Sequence, residues 1–100
     1  MVAEVPRADL IITNPTHFAV ALRYDRERDA APIVVAKGAD LMAKKIREIA
    51  KAHKIAIVEN PPLARSLYKS VEMGQMIPAE LFRAVAELLA FVYRQRDRAA

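Results

Sequence analysis

Cysteine is absent from this 100-residue sequence, and only two glycines occur in it. Without cysteine, the chain can form neither disulfide bonds nor thiolate metal sites. Two glycines are too few for a glycine-rich phosphate-binding loop, and the two histidines, His17 and His53, are too far apart in the chain to suggest a zinc site. No spacing of serine, histidine and an acidic residue resembles a hydrolase motif. The sequence therefore predicts neither a cofactor nor a bound metal.

Long apolar runs are also absent. No run approaches the ~20 residues that a membrane-spanning helix needs, and no signal-peptide pattern opens the chain. One hundred residues fit one domain, and a hydrophobic fraction of 54% is enough for a core. Residues 1 to 8 are polar and contain Pro6, so we predict a linker there and a single domain over residues 9 to 97.

The chain is basic, with a net charge of +4 and a pI near 9.7. The excess of positive charge is concentrated on one predicted helix and in the C-terminal tail, at Lys44, Lys45, Arg47, Lys51, Lys54, Arg94, Arg96 and Arg98. Such clusters are typical of a solvated helix face and a basic terminus. Attraction to acidic partners or to an anionic membrane surface is the functional alternative.

Four short segments have the composition of β-strands. Leu10 to Thr13 is a continuous apolar run, which is typical of a strand buried on both faces. Phe18 to Tyr24 alternates bulky with small or polar side chains, which is the period of a strand. The third and fourth segments are Ile33 to Ala36 and Ile55 to Val58. A charged loop over residues 25 to 31 should link strands two and three as an antiparallel pair.

Three helices are predicted between and after these strands. The first opens at Gly38 and runs to about His53. Asn60 should cap the second helix, with Pro61 in its first turn and Gly74 as its C-terminal cap. Pro78 should start the third helix, which we expect to be the most buried because its polar face is narrow.

These elements predict an α/β fold in which a small four-stranded mixed sheet is flanked by helices. The strand-helix-strand unit over residues 33 to 58 implies a right-handed crossover and a parallel pair. If strand two runs opposite to the other three, then Asn14, Lys37 and Asn60 lie at the same end of the sheet, where open α/β sheets tend to place their sites.

Asn14, Pro15, Thr16 and His17 form the loop between strands one and two. An Asn-Pro step at such a place is ordinarily just a turn. Because Pro15 has no N–H, its nitrogen cannot attack the Asn14 side chain. The opposite attack remains possible: Asn14 Nδ2 can add to the carbonyl carbon of Asn14, close a five-membered imide and break the bond to Pro15. Most of the rate would come from orientation.

Thr16 and His17 have assisting roles in this hypothesis. A Thr16 hydroxyl-to-backbone bond would hold the turn, whether or not cleavage occurs. His17 can accept a proton from Nδ2 or donate to the developing oxyanion; the simpler interpretation is a surface histidine at the start of a strand. Asn60-Pro61 repeats the dipeptide, but a capping Asn60 has its side chain occupied, so cleavage is not expected there. His53 is better explained as a complement to a helix dipole.

The sequence resembles the autocleavage domain of the FlhB/YscU family of flagellar and type III secretion export-switch proteins. Four blocks in the same order carry the resemblance: DLIITNPTHFAVAL at residues 9 to 22, VAKGADL at 35 to 41, VENPPLAR at 58 to 65 and IPAEL at 77 to 81. The third block is closer to the flagellar than to the virulence branch. The resemblance implies self-cleavage between Asn14 and Pro15, once per molecule rather than as a turnover enzyme.

The resemblance also implies a cellular setting. It predicts a cytoplasmic domain at the inner face of the bacterial inner membrane, following membrane helices of the full-length protein. The implied partners are other export-apparatus proteins, export substrates, a hook- or needle-length ruler protein and, after cleavage, the chain's own fragment 1–14. The alternative is a basic α/β module that binds RNA or protein without chemistry. Three Phe and three Tyr, expected mostly at core-facing positions, leave few platforms for base stacking, so no nucleic-acid partner is predicted.

Overall fold

A computed structural model describes residues 2–15 and 17–99, which form one four-stranded sheet with helices on both faces. The strands are β1 (Leu10–Asn14), β2 (Phe18–Arg23), β3 (Ile33–Ala39) and β4 (Ala56–Glu59). Their spatial order is β3-β2-β1-β4. β2 runs antiparallel to both β1 and β3, whereas β1 and β4 are parallel. The predicted mixed four-stranded sheet is therefore confirmed.

Within residues 2–15 and 17–99, five helical segments accompany the sheet. They are an N-terminal 3-10 helix (Val2–Arg7), α1 (Leu41–Ala52), α2 (Pro61–Ser70), a 3-10 turn (Ala79–Leu81) and α3 (Phe82–Ala99). Within the described part of the chain, no helix is both long and apolar enough to cross a membrane.

Each face of the sheet has its own apolar core. On one face, Leu10, Ile12 and Val20 pack with α2, including its Leu63 and Leu67, and with α3. On the other face, Ile11 packs with α1 and with the N-terminal 3-10 helix. Leu10, Ile11 and Ile12 are all inaccessible to solvent, because β1 lies between β2 and β4 and is covered on both faces. This is the burial that a continuous apolar run predicts.

The strand-helix-strand unit over residues 33 to 58 is arranged differently from the prediction. β3 and β4 point in the same direction, but they are the two edge strands and do not pair with each other. The central places belong to β1 and β2, whose residues from Leu10 to Ile12 and from Ala19 to Leu22 are fully buried. β4 therefore finds its parallel partner in β1.

Several predicted boundaries were wrong. Residues 2–7 form a 3-10 helix, and Val5 within it is fully buried, so these residues pack against the domain rather than forming an irregular linker. β3 continues past Ala36, since Lys37 and Gly38 still pair with β2, and α1 consequently begins at Leu41. β4 is shifted by one residue, to Ala56–Glu59.

The ends of the last two helices also differ from the prediction. Val71, not Gly74, is the C-cap of α2, because Gly74 lies in the following turn with φ 87° and donates its N–H to the carbonyl of Val34. Pro78 starts the 3-10 turn, and α3 begins at Phe82. α3 is not the most buried helix: Val85, Leu89 and Val92 face the core, but Phe82 and Phe91 are 43% and 45% exposed.

Asp40 is the single residue between β3 and α1, and its backbone is strained. Its φ of 51° and ψ of −113° lie in a region that favours glycine. Its N–H donates to the carbonyl of His17, as in the pairing of β3 with β2, and its carbonyl accepts the N–H of Lys44 in α1. The strand and the helix thus both constrain the backbone of this one residue. Its side chain makes no capping hydrogen bond, although aspartate is a favoured N-cap.

We expect Asp40→Gly to raise the free energy of unfolding by about 1 kcal/mol, because glycine adopts this conformation without a Cβ clash. Urea unfolding measures the change, in an Asn14→Ala background that excludes the predicted self-cleavage. Lys54→Gly, at φ 58° after the end of α1, is the matched control and should also stabilise the chain. A loss of stability in Asp40→Gly alone would show that the Asp40 side chain compensates for its backbone.

Candidate functional site

Asn14 is the last residue of β1, and the turn that follows it leads directly into β2. The backbone N–H of His17 donates to the carbonyl oxygen of Asn14 at 2.8 Å, which closes a four-residue turn. Asn14 is half-buried, whereas Pro15 and His17 are exposed. Thr16, predicted to hold the turn, lies outside the described residues. The structure thus brings Asn14 and His17 together through the backbone.

This hydrogen bond ends on the carbonyl that the proposed self-attack would use. Addition of a nucleophile to a carbonyl carbon places negative charge on its oxygen. Donors at about 2.7–3.1 Å from that charge stabilise it when they are held in position beforehand. In the predicted self-attack, the His17 N–H would be one such donor, in addition to the donation that the sequence predicts for the His17 side chain.

Both ends of the turn are fixed by neighbouring backbone. Before it, the N–H of Asn60 donates to the carbonyl of Thr13 at 2.9 Å. After it, the N–H of Asp40 donates to the carbonyl of His17, also at 2.9 Å. Asn14 therefore cannot shift along the strand direction without breaking contacts to β4 and to the start of α1. Such restraint is what orientation catalysis requires.

The side chain of His17 lies on the surface. Its ring centroid is 6.3 Å from that of Phe18, with the two planes tilted by 52°. The residue is exposed, so its imidazole is accessible to solvent. Its role in proton transfer stays a prediction.

Asn60 is at the same sheet end as Asn14 but is occupied as predicted. Its Oδ1 accepts the N–H of Leu63 at 3.3 Å, and Pro61 is the first residue of α2. Lys37 also lies toward this end, within the part of β3 that sequence analysis missed. The strand directions place Asn14, Lys37 and Asn60 toward the same end of the sheet, as expected.

Asp40 was missed as a residue of this site. The available signal was an aspartate directly before an amphipathic helix, which indicates an N-cap and would have moved the start of α1 to Leu41. Among residues 2–15 and 17–99, no group of three His, Asp or Glu residues is placed to hold a metal ion.

An apolar cleft of about 380 Å³ lies near the opposite end of the sheet. It is formed between α3 and the segments before and after the β2–β3 loop, and its lining includes Tyr24, Pro32, Phe82 and Tyr93. None of the described residues of the turn between β1 and β2 belongs to it. The cleft and the turn are therefore separate features of the surface.

Comparison with known proteins identifies the family of this chain. The sequence model of the FlhB, HrpN, YscU and SpaS family matches residues 1–92. The chain belongs to this family. The FlhB/YscU resemblance of the turn and of the three other blocks is thereby confirmed.

Individual FlhB proteins are similar over nearly the whole chain. The flagellar biosynthetic protein FlhB of Bacillus subtilis is 56% identical over 98 residues, which are 98% of this chain and 27% of that protein. The FlhB of Salmonella typhimurium is 55% identical over 94 residues, covering 94% of this chain and 24% of that protein. The chain thus spans about a quarter of these FlhB proteins.

Solved structures show which part of the FlhB family fold is present. The cytoplasmic domain of FlhB from Shewanella putrefaciens superposes with a TM-score of 0.91 at 52% identity, covering 98% of this chain and 77% of that one. A mutated EscU C-terminal domain superposes with a TM-score of 0.88 at 34% identity, covering 91% of each chain. The chain therefore corresponds to the C-terminal cytoplasmic domain of the family.

The EscU structures share a further feature with this chain. They include variants at an asparagine, at the proline directly after it and at a histidine two positions beyond the proline. That spacing equals the spacing of Asn14, Pro15 and His17. EscU therefore shares with this chain an Asn-Pro step that is followed by a histidine two positions beyond the proline.

Asn60→Ala should lower the free energy of unfolding by about 1 kcal/mol, because the first turn of α2 loses its side-chain cap. Urea unfolding in the Asn14→Ala background measures this. Ser70→Ala, which removes a hydroxyl bonded to the carbonyl of Ser66 within the same helix, is the control and should have little effect. An unchanged stability in Asn60→Ala would contradict the capping role.

Proposed function

We propose that this chain is the self-cleaving switch domain of a flagellar or type III protein-export apparatus, cut between Asn14 and Pro15 by cyclisation of Asn14. The observation that carries the proposal is the hydrogen bond from the His17 N–H to the Asn14 carbonyl, in a turn fixed at both ends. Family membership supports the same proposal. Asn60, whose side chain caps a helix, is not expected to react.

The reaction is an intramolecular acyl transfer. Asn14 Nδ2 forms a bond to the carbonyl carbon of Asn14, and the bond from that carbon to the Pro15 nitrogen breaks. The Pro15 nitrogen keeps the electron pair, takes up a proton and leaves as a secondary amine. Nδ2 gives up one proton, which the side chain of His17, three residues along the chain, would accept. Water later opens the five-membered imide that remains at Asn14.

The biological consequence is a change in what the export apparatus accepts. We propose that the cut alters the surface met by export substrates and by a hook- or needle-length ruler protein, so that export passes from early to late substrates. Other export-apparatus proteins are the remaining partners. The full-length protein would be embedded in the bacterial inner membrane, with this domain at its cytoplasmic face.

Binding of RNA or protein without chemistry was the alternative. The expectation that aromatic side chains mostly face the core was wrong for Phe82 and Phe91, which are exposed on α3. Two exposed rings do not make binding without chemistry the better proposal, since the FlhB relatives described above are flagellar proteins.

Substitutions in the turn should rank by role. Asn14→Ala removes the nucleophile and should leave the chain uncut. Asn14→Asp can react only through an anhydride and should be much slower, and Pro15→Ala should also slow cleavage. His17→Ala should slow cleavage by about 10²-fold without stopping it, because its part is proton transfer. Intact mass under denaturing conditions after a fixed incubation gives the fraction cut.

Asn60→Ala is the matched control for this series, since it changes the second Asn-Pro step and should cleave as the unaltered chain does. Cleavage of Asn14→Ala would exclude self-attack by its side chain. If His17→Ala were as inactive as Asn14→Ala, an assisting role for the histidine would be wrong.

The two pieces should stay associated after cleavage. Fragment 1–14 contributes β1, whose Leu10, Ile11 and Ile12 are fully buried, at about 1.5–3 kcal/mol per side chain before entropy costs. Asp9 adds bonds to the Tyr24 N–H at 2.8 Å and to the Arg96 side chain. Size exclusion in native buffer should give one peak containing both fragments. A peak that contains the large fragment without fragment 1–14 would contradict the central place of β1.

A further inference from the structure

Three side chains from different elements meet beside the turn. The rings of Phe18 in β2 and Tyr68 in α2 are stacked, with centroids 4.4 Å apart and planes inclined by 20°. The ammonium group of Lys37 in β3 lies 5.1 Å from the centroid of the Tyr68 ring and donates to the backbone carbonyl of Tyr68 at 2.8 Å. We call Phe18, Tyr68 and Lys37 the aromatic clamp.

Lys37 is well suited to hold Tyr68 in place. The carbonyl it binds belongs to the last turn of α2, where carbonyl groups have no partner within the helix and where the helix dipole favours a positive charge. The same ammonium group faces the aromatic ring, which attracts cations. Tyr68 is thus fixed at its backbone and at its side chain by one residue of β3.

Phe18 connects the clamp to the turn. It is the residue directly after His17, and in the sheet it pairs with Asn14 on one side and with Ala39 on the other. A displacement of Phe18 would therefore move the N–H of His17 relative to the Asn14 carbonyl. The hydrogen bonds from the N–H groups of Asn60 and Asp40 fix the backbone of the turn. Stacking on Tyr68 restrains the orientation of the Phe18 ring.

We propose that Tyr68, held by Lys37, is a positioning residue for cleavage at Asn14-Pro15, acting through Phe18 from outside the turn. This inference rests on the proposed self-cleavage. Small displacements of reacting groups change intramolecular rates strongly. The clamp therefore controls the cleavage rate more than it controls stability.

The test follows cleavage of newly made chain in a cell-free translation reaction, with a pulse of labelled amino acid and denaturing gels over time. Tyr68→Leu should lower the rate constant by about tenfold or more, since the stacked ring that orients Phe18 is lost. Tyr68→Phe keeps the ring and should restore a rate within about twofold of the unaltered chain. Lys37→Met should give an intermediate rate.

Tyr93→Leu is the matched control. Tyr93 is also a half-buried tyrosine on the same face of the sheet and also contacts cations, with Arg96 at 5.6 Å and Arg26 at 5.9 Å. It lies near the opposite end of the sheet from the turn. Urea midpoints of both leucine variants, measured in the Asn14→Ala background, compare their effects on stability. We expect similar losses of stability but slow cleavage only in Tyr68→Leu.

Three results would overturn the inference. Cleavage of Tyr68→Leu at the unaltered rate would remove the positioning role, and equal slowing in Tyr93→Leu would assign the effect to general destabilisation. If Tyr68→Leu does not fold, an unaltered rate in Lys37→Met, which retains both rings, would count against the clamp. Failure of the unaltered chain to cleave would instead refute the proposed function, on which the inference depends.

Discussion

The burial of β1 between β2 and β4 is the constraint on which the rest of the structure depends. Leu10, Ile11 and Ile12 contribute side chains to both cores, so the helices on the two faces are held together through this strand. Its position also places Asn14 at the end of the sheet, between a parallel neighbour and an antiparallel one. The packing of the apolar run that ends just before the turn thus determines where the turn lies.

The comparison between the two Asn-Pro steps shows why a short motif does not determine chemistry. Asn60 follows a strand and begins a helix, and the exposed N–H groups of that helix occupy its side-chain oxygen. Asn14 is the last residue of one strand and precedes another strand, so no helix N-terminus competes for its side chain. In addition, its carbonyl receives the N–H of His17. The surrounding secondary structure, rather than the dipeptide, separates a structural asparagine from a candidate reactive one.

The features that follow from local patterns could be predicted from the sequence. The apolar run of β1, the alternation in β2 and the cap at Asn60 each have a local signal, and all three are present in the structure. Strand order was not predictable, because it depends on which strand is most completely buried. The extension of β3 to Ala39 and the strained backbone of Asp40 were missed because they arise from pairing with β2. The aromatic clamp was missed for a related reason: Phe18, Lys37 and Tyr68 are distant in sequence and meet only in the folded chain.

The direction of β1 has a mechanical consequence for a cleaved chain. The turn lies at the C-terminal end of β1, so a force applied at its N-terminal end would pull the strand along its own axis. Ladder hydrogen bonds lie across the strands, and those on both sides of β1 would be loaded together in shear rather than opened one after another. A cut between Asn14 and Pro15 would therefore remove covalent continuity while leaving a junction that resists tension.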